Sequence, residues 1–170
     1  FKAHGISHED IKDSPFFTSV FELFVHYIEA NLKEVSKNKI LLVAHNGFTF
    51  DFPILLSEIR RNKIQLNSLS VSLADSMLLM KKIKSLDPSL KFELNRGKIK
   101  LSSLYYTYFE EEYKEHDALG DCFALEKILF ESEVHEHLKL FEIISYASFL
   151  EKLNDRLLVN AKATLLHQKF

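Results

Sequence analysis

The 170-residue chain has one cysteine, no tryptophan and no long apolar run. The lone thiol, Cys122, excludes an internal disulfide and fits a reducing compartment or a free thiol anywhere. The longest clean apolar run, ILLVA at 40–44, is far too short to span a bilayer. No signal-peptide pattern, repeat or low-complexity linker is visible. A net charge of −2 excludes a global basic field, although metals and a local patch can still hold a phosphate chain. The first residue is Phe1 rather than Met, which points to a fragment or a processed product.

What is present suits one domain with a sizeable, phenylalanine-rich core. Hydrophobic residues make up 46% and charged residues 27%, with fifteen Phe. Ser7 and Asp10 have capping-box spacing and open a short helix. Phe17, Val20, Phe21, Phe24, Val25 and Ile28 recur at helical spacing. NKILLVAH, 38–45, reads as a buried central strand and ends at the turn signal Asn46-Gly47. FDFPILLSEIRRNKI then reads as a helix with Pro53 in its first turn. SVSLAD is a second strand, followed by a short helix, DSMLLMKKI. A loop runs to Lys100, and LSSLYYTYF is a further helix. From Lys81 to Lys100 seven Lys or Arg stand against Asp87 and Glu93, a solvated loop or a substrate contact. Residues from Ser132 onward read as mostly helical. Helices between buried strands imply an α/β layer fold.

Two stretches carry chemistry. HDALGDCFALEKIL, 116–129, has helical apolar spacing at Ala118, Cys122, Leu125 and Leu129, with Asp121 on or beside that stripe. A carboxylate there needs a base, a backbone donor or a metal. Asp51 falls just past a strand end, where α/β sheets place ligands. Two converging carboxylates suit a divalent cation, and a histidine can take a proton from a metal-bound water. Plainer readings stand beside these. Asp51 serves equally as a helix N-cap, and Asp117 as the N-cap of the last helix. Asp117 and Asp121, four apart, can share a face. Within a helix, His116 and Asp121 would lie about 140° apart, so His116 belongs to the preceding loop. His26 reads as packing or surface.

LLVAHNGFTFDFPILLSEIRR and HDALGDCFALEKIL together resemble the second and third motifs of the DnaQ-like (DEDDh) 3′→5′ exonucleases, on their TREX-like branch. The resemblance covers 2–130. It implies an RNase H-like exonuclease fold, an α/β mixed sheet flanked by helices, with the family's N-terminal strands truncated. It divides the chain into a partial exonuclease domain, 1–132, and a helical C-terminal extension, 133–170. It implies two Mg²⁺ or Mn²⁺ ions held by four acids, of which Asp51 and Asp121 are two. It makes His116 the general base and puts His45 and Asn46 against the nucleotide, with Phe50 shaping the pocket. The expected partner is a nucleic-acid 3′ end, DNA ahead of RNA, with no membrane, in the nucleus or cytoplasm. The family's Asp-x-Glu first motif is missing, because no Asp of this sequence has Glu two residues later. An inactive or nucleic-acid-binding remnant is therefore the alternative. A third reading takes His116-Asp117 as the dyad of an all-helical HD-type phosphohydrolase.

Overall fold

The computed structural model describes residues 7–32, 39–65, 70–115 and 117–155. Helix α1, His8–Ile11, opens on the expected capping box: Ser7 accepts from the Asp10 amide and Asp10 reaches back to Ser7. Helix α2 is Phe17–Leu32, β1 is Lys39–Ala44 and α3 is Asp51–Arg61. Strand β2, Ser70–Asp75, runs straight into α4, Ser76–Leu86. After the loop come α5, Leu101–Phe109, and α6, Ala118–Glu131. A 3₁₀ turn follows at Glu133–Leu140, then β3, Ile144–Ser145, and helical turns over 146–155.

The sheet order is β1-β2-β3. Strands β1 and β2 pair in parallel, from Lys39 opposite Ser70 to Ala44 opposite Asp75, and β3 adds antiparallel to β2. This is the mixed α/β sheet flanked by helices that the sequence implied. It also excludes the all-helical HD-type reading. One expectation changes. The central strand is β2, whereas β1 pairs on one side alone among the described residues, and Leu41 is exposed. Much of the described run after Ser132 is helical, while Ile144–Ser145 adds to the sheet and Val134 and Phe149 enter the cores.

Strand alternation sorts side chains into two cores. Leu42, Ala44, Val71 and Leu73 pack with Phe21, Phe52, Leu56, Ile59 and Phe149. Val43 packs the other way, onto a cluster that includes Met80, Ile83, Phe92, Leu104 and Ile128. Phenylalanines do dominate the first core: Phe48 stacks on Phe149 at 5.3 Å and meets Phe52 at 5.5 Å. The α2 stripe is less buried than its spacing suggests, since Phe21 is enclosed while Val20 and Phe24 stay exposed.

Candidate active-site cleft

The register of β1 and β2 builds the site. Ala44 lies opposite Asp75, so the next residues of each strand, His45 and Ser76, emerge side by side at the strands' C-terminal ends. There the Ser76 hydroxyl donates to His45 Nδ1 at 2.9 Å, and His45 Nε2 donates to the Ile99 carbonyl at 2.8 Å. The carbonyl can only accept, which fixes the proton of the neutral ring on Nε2. Burial pushes the His45 pKa below its usual value, against the opposing pull of the Ile99 carbonyl and the charges of Asp75 and Asp51.

Residues 45–50 turn away from β1, with Asn46 in the left-handed region at φ 64°. Asparagine tolerates that conformation better than most side chains. Gly47 is required by crowding, because a Cβ there would sit 2.7 Å from both the Ala44 Cβ and the Phe52 ring. The turn delivers the chain into α3. Phe50 is its N-cap residue and makes no side-chain cap bond, and Asp51 is the first helical residue. The N-cap reading of Asp51 therefore fails. Its carboxylate is exposed and lines a cleft.

The opposite wall comes from α6. Asp117 is the N-cap, accepting from the Gly120 amide at 3.1 Å. Its role as a cap is thus the structural one, and Asp121, one turn further, faces the cleft. The buried side of α6 is Ala124, Ile128 and Leu129, whereas Cys122 is exposed. Asp121 ends the row that Ala124 and Ile128 continue, which explains a carboxylate at apolar spacing: the row runs out of the core into the cleft. One influence offsets its charge: it sits in the first turn of α6, where the helix dipole favours an anion. Tyr113 lines the same cleft, and burial, with the Asp121 and Glu115 charges, pushes its pKa well up.

The cleft holds about 540 Å³ and is lined by His45, Asp51, Lys100, Ser102, Tyr113, Glu115, Asp121 and Cys122, over a floor of Val43, Ala44 and Leu125. It brings together three of the five residues singled out from the sequence: His45, Asp51 and Asp121. Asn46 lines a neighbouring cleft of about 310 Å³ with Thr49, Lys81 and Lys152. His116 lies outside the described residues. Lys127 and the Tyr105 hydroxyl hold the Glu111 carboxylate at 3.0 and 3.1 Å and lower its pKa. Sequence reasoning missed Tyr113, Ser76 and above all Asp75. Asp75 is 4% exposed, and its carboxylate accepts from the Met77, Asn46 and Phe48 amides at 2.8, 2.9 and 3.1 Å.

The donor set suits a hard cation in kind, since Asp51, Asp121 and Glu115 present carboxylate oxygens to one space. In number it falls short of a cage. Among the described residues no three His, Cys, Asp or Glu side chains gather closely enough to hold a metal ion.

No protein-family profile matches the chain. Over 162 residues, 94% of its length, it is 25% identical to the Arabidopsis thaliana protein Exonuclease DPD1, chloroplastic/mitochondrial. Over 87 residues, 51% of its length, it is 34% identical to Three prime repair exonuclease 2 of Mus musculus and 36% identical to that of Homo sapiens. It covers 49% of the plant protein and 36% of each mammalian one, so it spans half or less of the curated relatives it matches. Fold and relatives agree on an RNase H-like, exonuclease-type α/β scaffold. The chain is thus similar in sequence to proteins named as exonucleases.

Proposed function

We propose that this chain carries part of the active site of a metal-dependent 3′→5′ exonuclease that releases nucleoside 5′-monophosphates, acting on DNA ahead of RNA. The observation that carries the reading is the convergence of Asp51, from the turn after β1, and Asp121, from α6, on one cleft at the strand ends. Asp51 and Asp121 are the proposed ligands of Mg²⁺ or Mn²⁺, two ions in the complete site, with the remaining acids supplied from outside the described set. A bound divalent ion supplies Lewis-acid polarisation of the phosphate and acidifies water.

The chain's own residues do the rest. His116 is the proposed base, one residue before the α6 cap. Tyr113, which shares the cleft lining with Asp121, is the proposed orienting group for that carboxylate. His45 meets the nucleotide with its ring wall, because both nitrogens are engaged. Asn46 shapes the rim. Lys100 supplies a cation against the phosphate backbone. A single exposed, unpaired thiol accords with an intracellular setting, nucleus or cytoplasm.

The alternative is a nucleic-acid-binding module that keeps the scaffold without turnover. Among the described residues the incomplete cage favours it. A 3′-labelled oligonucleotide with Mg²⁺ separates the two. Metal-dependent release of 5′-monophosphates, abolished in His116→Ala and Asp121→Ala, supports the enzyme. Oligonucleotide binding without release supports the module. Release unchanged in both variants overturns the site assignment.

A further inference from the structure

We propose that Asp75, which is neither in the acid cleft nor on its wall, is the positioning residue that sets the Asp51 carboxylate. The inference rests on the metal-site reading of Asp51 and deepens it. Asp75 ends β2 and caps α4 through the Met77 amide at 2.8 Å. A cap alone uses one acceptor. The same carboxylate reaches across to the other parallel strand's exit turn and takes the Asn46 amide on Oδ1 at 2.9 Å and the Phe48 amide on Oδ2 at 3.1 Å. Both amides belong to the turn that leads into Asp51, and Asn46 holds a left-handed φ of 64°. Such a conformation persists only where surroundings over-determine it.

The first turn of α3 has no side-chain cap of its own. Phe52, Leu56 and Ile59 anchor the inner face of α3 in the core, but Asp51, in front of Phe52, is exposed and has no core contact of its own to fix it. The Asp75 bridge therefore sets where Asp51 stands. Two-point acceptance also explains why the residue is an acid. An asparagine keeps one oxygen and turns an N–H₂ group toward an amide that needs an acceptor.

Mn²⁺ titration of the full chain tests this, followed by paramagnetic broadening, with amide hydrogen exchange alongside. Asp75→Asn, folded and unfolding cooperatively, is expected to bind Mn²⁺ about tenfold more weakly, with faster exchange at Asn46 and Phe48. A core truncation, Ile128→Ala, shows what lost stability alone does, and is expected to keep wild-type affinity. Folded Asp75→Asn with wild-type affinity overturns the inference while Asp51→Asn still weakens binding. Equal binding by wild type and Asp51→Asn overturns the metal-site reading itself, and this inference with it. If Asp75→Asn does not fold, wild-type exchange decides: protected Asn46 and Phe48 amides support the bridge, and unprotected ones overturn it.

Discussion

His45 Nε2 and the Ile99 carbonyl, 54 positions apart in sequence, are joined at 2.8 Å, while Ser76 closes the other side of the ring. This pair ties the exit of β1 to the start of the wall that carries Lys100 and Ser102. It also makes His45 a neutral clamp rather than a proton carrier, because burial disfavours the imidazolium.

A pH dependence of stability follows. The folded pKa of His45 lies below its unfolded value of 6.5, so at mildly acid pH the unfolded chain binds more protons. The stabilisation is complete above about pH 6.5 and is lost as pH falls from there toward the folded value. Urea unfolding midpoints of the wild type should drop on going from about pH 7.5 to about pH 5. In His45→Gln, which is less stable at the higher pH, that drop should shrink. Parallel pH profiles for the two proteins would show that His45 contributes no linkage.

Gly47 is fixed by space. A methyl group would overlap the Ala44 Cβ, and Ala44 sits in a strand with no room to retreat. Gly47→Ala should destabilise the chain by about 1–3 kcal/mol, the usual range for overpacking. It should also push the turn off its bonds to Asp75 and weaken Mn²⁺ binding. Wild-type stability in Gly47→Ala would mean that the Phe52 ring swings aside freely.

Much of this was legible in sequence where local chemistry is strong. The capping box at Ser7, the Asp117 cap, the Asn46-Gly47 turn and the apolar run of β1 each announce themselves within a few residues. The position of β1 in the sheet was not legible, because pairing depends on partners remote in sequence. Strand β3 is two residues long and carries no pattern. Asp75 was hidden for a different reason. Its partners are backbone amides, which every residue has, so only the parallel register reveals that one carboxylate serves two strand exits. Asp121 was readable as an anomaly in a helical stripe, and the fold supplied its explanation.

Cys122 offers a reporter inside the cleft. Its thiol is exposed and shares the cavity lining with Asp121 one residue before it. A short single-stranded oligonucleotide seated across Asp51 and Asp121 should slow maleimide labelling of Cys122 severalfold. Because this is the chain's sole cysteine, mass spectrometry reads the rate without background. Labelling indifferent to saturating oligonucleotide would remove the cleft from the nucleic-acid path.

The basic stretch from Lys81 to Lys100 divides into structural and available charges. Lys84 is committed: its ammonium donates to the Pro88 and Leu90 carbonyls at 3.0 and 2.9 Å and pairs with Glu93 at 3.0 Å. Lys82 reaches the Leu140 carbonyl at 3.3 Å. Lys100 instead lines the cleft, where among the described residues it is the Lys or Arg that shares the lining with Asp51, Glu115 and Asp121. Lys84→Gln should therefore lower stability and leave the salt dependence of oligonucleotide binding intact. Lys100→Gln should do the reverse. Each phosphate contact on a single strand adds about 0.7 to the slope of log affinity against log salt, and that amount should disappear with Lys100. Affinities measured from low to moderate salt give the slope directly. An unchanged slope in Lys100→Gln would mean that the phosphate backbone passes the cleft without touching Lys100.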